Sequence, residues 1–596
     1  MRYSPISIAC ALVVECSRSP QWIVDWLLSH ITLVGSMKQL VILFAAFVYC
    51  PLVFAAGDYA QTSPDGRVAV ATVNPYASSI AMEVVERGGN AIDAAIAAAF
   101  TLGVVDGHNS GIGGGCFILV RLADGQILAI DGREMAPAAA SRDMFVVNGK
   151  ADPELSRTGA LASGIPGSVA AFDRLQKLGG KLQFRDLVLP AADLAEKGFS
   201  ISPALAERIA ATAGNLAKFP DSAAIYLDEN KKPLPAFSTL KQKDLAGTYR
   251  AIAKQGLRYF YQGDFAKKTG RWMKANGGLI TDKDFANYQI KMRKPIVSEF
   301  AGYTLYGFPP PSSGGIHVAQ ILNILEQFDL DKLAPAERYH LIAEAMKFAF
   351  ADRAYWLGDG DFTKVPLALT DKRYAQTIAK KISLDKTTSD ISYGNPDVDI
   401  QHLMNKHTTH IAAADKDGNW VAITSTVNTS FGSKVVIPGT GVVLNNQMDD
   451  FSAQVGAANA FGLVGSDANA IAARKRPLSS MSPTLVFKNN EPVMALGAAG
   501  GPTIISQVVQ TLLYSLNDSM PVEKAMAQAR IHQQWNPNVL FVEAAMPAEI
   551  QQSLQKKGHD LKVWPTMGAS QAIQLRDGKL VPVAEPRVIL QNQQKK

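Results

Sequence analysis

One junction constrains the fold of this 596-residue chain more than any other stretch. Residues 383–405 are polar and show no clear periodicity (Lys386-Thr-Thr-Ser-Asp390, then Gly394-Asn-Pro-Asp397). Directly after them come two strand-like runs, 408–414 and 419–426, joined by Asp415-Lys-Asp-Gly418. An Asp-Gly turn between two such runs is a strong hairpin signal. The chain therefore passes from a polar connection straight into a core strand, and the residue at that boundary is Thr408.

Elsewhere the pattern alternates helices with strands. Asn74-Pro75 opens an amphipathic helix to Glu86, and Asn90 caps an alanine-rich run from 91 to 100. Gly111-Ile-Gly-Gly-Gly-Cys116 leads into a strand at 117–122, and Asp124-Gly125 turns it into 126–131. These glycines precede a strand instead of linking a strand to a helix, so they predict close backbone packing and not a nucleotide site. Residues 165–295 read as largely helical. Pro309-Pro-Pro-Ser-Ser-Gly-Gly-Ile316 is a stiff turn into a helix at 317–328, and another helix covers 339–357. Strands at 484–488 and 493–497 precede helices at 503–516 and 521–530. Strand runs flanked by helical runs predict an α+β layered fold, with sheets covered by helices.

At 47% hydrophobic and 19% charged residues, with a mean hydropathy of +0.03, the chain is neither disordered nor a polytopic membrane protein. A net charge of +6, evenly spread, argues against nucleic acid as a partner. Length alone suggests about four domains. Lys38 precedes an apolar run ending in Ala55-Ala56, the pattern of a secretory signal peptide. Met37 is a natural start, so residues 1–36 read as an upstream extension and 37–57 as the signal, with an uncleaved membrane anchor as the alternative. Export would remove Cys10, Cys16 and Cys50 and leave Cys116 alone, without an internal disulfide. The mature protein is then periplasmic or secreted.

No Gly-x-Ser-x-Gly elbow or His-Glu-x-x-His is present, and Ser383-Leu-Asp-Lys386 lacks the partner motifs of a Ser-x-x-Lys enzyme. His407 and His410 would point to opposite strand faces, so they read as structural and no metal is expected. Thr408 is different. A hydroxyl residue that opens a core strand becomes a nucleophile if the bond before it is cut. Its freed α-amine, titrating near about 8, then serves as general base.

The surrounding motifs resemble the gamma-glutamyltransferase (gamma-glutamyltranspeptidase) family. They are Thr408-Thr-His410, Thr426-Val-Asn-Thr-Ser-Phe-Gly432, Asn445-Asn-Gln-Met-Asp-Asp-Phe451, Lys475-Arg-Pro-Leu-Ser-Ser-Met-Ser-Pro-Thr484 and Gly500-Gly501. Gly111 to Gly115, Asp131-Gly-Arg-Glu-Met-Ala-Pro137 and Pro309 to Ile316 fit as well, in family order from about residue 58 to the C-terminus. The resemblance implies a four-layer αββα sandwich of the N-terminal-nucleophile hydrolases, one domain built from two autoproteolytic subunits. Cleavage between His407 and Thr408 gives a large subunit, 58–407, and a small one, 408–596, which stay paired. Glutathione and other gamma-glutamyl compounds are the implied donors, with water or amino acid and peptide acceptors, and no cofactor.

The resemblance also implies site roles. Thr408 attacks, Thr426 assists it, and Gly500 and Gly501 supply oxyanion N–H groups. Arg133, Ser479 and Ser480 take the donor's α-carboxylate. Asp450, Asn428 and Gln447 take its α-ammonium, and Thr409 supports the nucleophile. The chain departs from the bacterial pattern at Ala498-Ala499 and Pro502-Thr503 around the glycines, and at Phe461, where a lid tyrosine is common. Two alternatives are an acylase for glutaryl side chains and a non-catalytic binding protein of the same fold. Asp450, Asn428 and Gln447 together favour glutamyl over glutaryl.

Overall fold

The computed structural model describes residues 58–389, 391 and 408–593. The expectations for the leader, for most of the polar connection and for His407 lie outside them. Strands gather into two large antiparallel sheets. Across the first run Ala60–Thr62, Val68–Ala71, Thr409–Asp415, Trp420–Thr426, Gly115–Arg121, Ile127–Gly132 and Lys291–Arg293. The expected hairpin is its centre: Thr409 pairs with Ser425 and Ala414 with Trp420, and Gly418 turns at φ = +100°. Asp415 closes the turn by accepting from the backbone N–H and the side-chain amide of Asn419.

Side chains alternate across this sheet. Ile411, Ala413, Val421 and Ile423 join a core shared with helices Pro75–Glu86, Ala91–Val105, Phe184–Lys197 and Lys243–Gln255. Ala412, Ala414 and Ala422 face the other way, into a core shared with the second sheet. Caps start the first two helices as expected: Asn74 Oδ1 accepts from Tyr76 N–H, and Asn90 and Asp93 form a reciprocal capping box. The glycine run packs as expected too. A Cβ on Gly113 would fall 1.9 Å from Val443 O, and one on Gly114 2.0 Å from Thr426 O.

The second sheet runs Ile296–Phe300, Tyr303–Gly307, Thr484–Lys488, Glu491–Ala499, Ala569–Arg576 and Lys579–Ala584. Its two outer hairpins, at 296–307 and 569–584, carry no expectation from sequence. Helices Gly314–Leu325, Pro335–Trp356 and Thr503–Leu512 share its core. Between the sheets His410 occupies the space left by Gly497, whose Cβ would lie 2.3 Å from the imidazole. His410 Nδ1 pairs with Thr424 Oγ1 at 2.9 Å, and burial holds the ring down at about 3, neutral and structural as read from sequence. The chain from 57 onward is one compact unit, not the four that length suggests. Among the described residues no helix is long and apolar enough to cross a membrane, and Cys116 is buried and free.

Candidate active site

Hairpin register sets Thr408, just before its strand, beside Thr426 at the end of the partner strand. Their hydroxyl oxygens are 3.1 Å apart. Thr426 Oγ1 also accepts from Asn428 N–H at 2.9 Å, which fixes its position. Thr408 has φ = +106°, a region that a β-branched residue rarely adopts. Such strain persists only where the surroundings over-determine the backbone.

Both threonines line a cleft with Arg133, Asn428, Gln447, Asp450, Ser479, Ser480 and Gly501. The residues assigned from sequence are thus brought together, with two exceptions. Thr409 lies on the other strand face, near Asp106, and Gly500 sits just outside the lining. Free space in the cleft is about 20 Å³, room for one water. A larger cavity of about 620 Å³ lies across the 451–462 strap, lined by Lys150, Asp152, Arg157 and Asp449. Ser156 lines it as well, its Oγ donating to Asp449 Oδ1 at 2.6 Å, but the Thr408–Thr426 hydroxyl pair and the residues assigned from sequence lie in the smaller cleft.

Arg133 follows the Ile127–Gly132 strand. Its N–H donates to Asp131 Oδ1 at 2.9 Å, Arg293 holds Asp131 Oδ2 at 2.7 Å, and Tyr288 O–H donates to Arg133 O at 2.8 Å. Its fully buried guanidinium donates to Asp450 Oδ2 (2.6 Å), Leu478 O and Pro477 O (both 3.1 Å) and Glu134 Oε2 (3.4 Å). The planar fork expected for a substrate carboxylate is therefore engaged by Asp450. Gln447 Nε2 also donates to Asp450 Oδ2, at 2.6 Å. Burial pushes the Asp450 carboxyl up, against the pull of Arg133. Burial likewise lifts Glu134 to about 7, with Arg133 opposing and Asp450 reinforcing.

The Pro309 to Ile316 turn clamps the serine loop. Ser313 N–H and O–H both donate to Ser479 O at 2.8 Å, and Ser312 O–H donates to Met481 O at 2.6 Å. On the opposite wall Gly501, at φ = +58°, lies just before the Thr503–Leu512 helix, whose N-terminal end carries partial positive charge. A Cβ there would lie 2.7 Å from the Phe461 ring. The strap carrying Phe461 is held through Asn459 Oδ1, which accepts from the N–H groups of Phe461 and Leu463.

Sequence reasoning missed Arg353, which also lines the cleft. A signal was present: with Ala349 and Phe350 it continues the buried stripe of its helix, where a charge is out of place. His340, Glu344 and His559 bring potential metal ligands within 4.8 Å of one another. Hydrogen bonds already occupy them: Lys347 donates to Glu344 at 2.9 Å, and His340 meets His559 and Ser383 O, each at 2.7 Å.

The family model described as Gamma-glutamyltranspeptidase matches residues 77–593. The glutathione hydrolase proenzyme of Escherichia coli is 42% identical over 528 residues, which cover 87% of this chain and 90% of that protein. The crystal structure of cephalosporin acylase from Bacillus halodurans, 25% identical, superimposes with a TM-score of 0.77 over 90% of this chain and 98% of that one. The Helicobacter pylori gamma-glutamyltranspeptidase structure is 41% identical with a TM-score of 0.52, covering 54% of this chain and 93% of that one. A match of this extent, over motifs whose side chains converge on one cleft, places the chain in the gamma-glutamyltranspeptidase family.

Proposed function

We propose that the protein is a gamma-glutamyl acyltransferase and hydrolase, acting on glutathione and other gamma-glutamyl amides through an ester on Thr408 Oγ1. The precursor cuts itself between His407 and Thr408, giving chains 58–407 and 408–596. The freed α-amine of Thr408 takes the hydroxyl proton as Oγ1 attacks the amide carbonyl. N–H groups of Gly500 and Gly501 stabilise the oxyanion. The amine product leaves with the proton, and water or an acceptor amine then attacks the ester and regenerates Thr408. The observation that carries this reading is the Thr408–Thr426 hydroxyl pair at 3.1 Å, on a residue with strained backbone, inside a cleft lined by the charges a glutamyl group needs.

Donor entry is an exchange. The cleft holds an internal ion pair, Arg133 with Asp450, and little free space. A glutamyl end carries the same two charges. Its α-carboxylate takes the place of Asp450 on Arg133, joined by Ser479 and Ser480, and its ammonium takes the place of Arg133 on Asp450, joined by Asn428 and Gln447. A glutaryl donor would leave Asp450 buried and unanswered, which disfavours the acylase alternative despite the structural likeness.

The layering we infer is αββα, with two sheets between helices. Both subunits contribute strands to each sheet: Val68–Ala71 pairs with Thr409–Asp415, and Tyr303–Gly307 with Thr484–Lys488. The chains should therefore remain a heterodimer after cleavage. Export through residues 37–57 to the periplasm or beyond completes the proposal.

Denaturing electrophoresis with N-terminal sequencing tests it. Active protein should give two bands, the smaller beginning at Thr408. Thr408→Ala should stay a single band, with turnover at background. Activity from an intact single chain would sink the mechanism.

A further inference from the structure

We propose that Arg353 is a positioning residue for substrate specificity: it holds the Ser480 hydroxyl so that its hydrogen points into the cleft, at the donor's α-carboxylate. This rests on the gamma-glutamyl reading of the same cleft.

Arg353 lies in the last turns of the Pro335–Trp356 helix and is 5% exposed. Its Nε donates to Ser313 Oγ at 3.0 Å and its Nη2 to Ser480 Oγ at 3.2 Å. A guanidinium can only donate. Ser480 Oγ is therefore the acceptor, and its single hydrogen must go elsewhere. Ser480 lines the cleft, so the available partner is whatever occupies it. Ser479 is arranged alike: its Oγ accepts from Met481 N–H at 3.1 Å. Two adjacent hydroxyls, each receiving an N–H that cannot reverse, form a donor pair suited to a carboxylate. Ser313 links the two, accepting from Arg353 while donating to Ser479 O.

Charge points the same way. The cleft lining holds Arg133, Arg353 and Asp450, and Arg133 is taken by Asp450 at 2.6 Å. Among the described residues Arg353 has no carboxylate within salt-bridge distance. Burial lowers its pKa to about 10, so it is still a cation at neutral pH. It is an electrostatic complement to an anion that arrives with the substrate.

The test uses the matured two-chain enzyme and hydrolysis of gamma-glutamyl-p-nitroanilide. Arg353→Gln should raise KM about 10- to 100-fold, the range of a charge-assisted hydrogen bond, with kcat within about threefold. Arg353→Lys keeps the charge but not the fork, and should raise KM only about 3- to 10-fold. Ser480→Ala combined with either variant should be clearly less than multiplicative, because both act through one hydroxyl. Should Arg353→Gln fail to mature, Arg353→Lys with Ser480→Ala carries the same cycle. A fall in kcat at unchanged KM, or multiplying effects, would overturn the assignment. Wild-type enzyme that matures yet leaves the anilide intact would instead reject the gamma-glutamyl reading itself.

Discussion

Two buried ionic clusters of similar composition behave in opposite ways. In the cleft, Arg133 faces Asp450 and Glu134. Elsewhere, Arg530 and Arg587 face Glu585 and Glu543. The second cluster is balanced: Arg530 meets Glu585 at 2.8 Å, and Arg587 meets Glu585 at 2.9 Å and Glu543 at 2.5 Å. Ser570 N–H donates to Glu585, and Met567 N–H to Glu543. Burial alone would raise the Glu585 pKa, but the two guanidiniums more than offset it and hold it low. Around Arg133 one guanidinium bonds two carboxylates, Glu134 Oε1 has no hydrogen-bond partner, and both acids are pushed up, with Arg353 near Asp450 but outside ion-pair distance. Burial is equal in kind; the count of donors differs.

The largest expected effect breaks the balanced cluster. Glu585→Gln removes a charge with little change of shape and strands Arg530 and half of Arg587. Leaving one member of a buried pair unanswered costs about 3–5 kcal/mol. Urea unfolding should show that loss, with kcat/KM of the folded fraction within about twofold. Wild type should lose stability as pH falls below about 4.5, because the folded pKa is depressed and this contribution is present only while Glu585 is ionised. An unchanged midpoint would mean the network adds nothing over its desolvation cost.

Breaking the cleft cluster should move activity instead. Asp450→Ala should lower kcat/KM for gamma-glutamyl anilide about 10²- to 10³-fold, the range for removing one partner of a desolvated charge pair. Glutaryl donors, lacking the ammonium, should change far less, and the stability loss should be smaller than at Glu585. Equal losses on both donors would remove the ammonium role from Asp450.

That contrast also explains what sequence could show. The central hairpin was legible because Asp-Gly and two apolar runs are local signals. Thr408, Asp450 and the serine pair were legible through motif order. The outer hairpins of the second sheet were not: 296–307 mixes Glu299 on the edge strand with Gly302 at the turn and half-buried tyrosines on the next strand, so no clean alternation survives. Arg353 was missed because its partners are 40 residues away at Ser313 and 127 away at Ser480, a juxtaposition made only by packing. The hydrogen bond between Arg133 and Asp450 was not legible for a similar reason. Sequence assigns each residue to the substrate separately, and only three dimensions reveal that they also bond to each other.

The smallest effect sharpens the comparison through the sign of a pH dependence. Glu134 has its folded pKa raised from 4.5 to about 7. Between those values the native state holds a proton that the unfolded chain has released. Stability must therefore fall as pH rises through that window, opposite to Glu585. Glu134→Gln abolishes the titration while keeping the side chain's shape. The variant should be more stable than wild type at pH 8 by about 2–3 kcal/mol, and the gap should close toward pH 5. Thermal melts of both proteins across that range give the answer. A gap independent of pH would mean that Glu134 is ionised throughout, with Arg133 able to satisfy both acids. The contrast between the two clusters would then fail, because both acids beside Arg133 would be held ionised as Glu585 is.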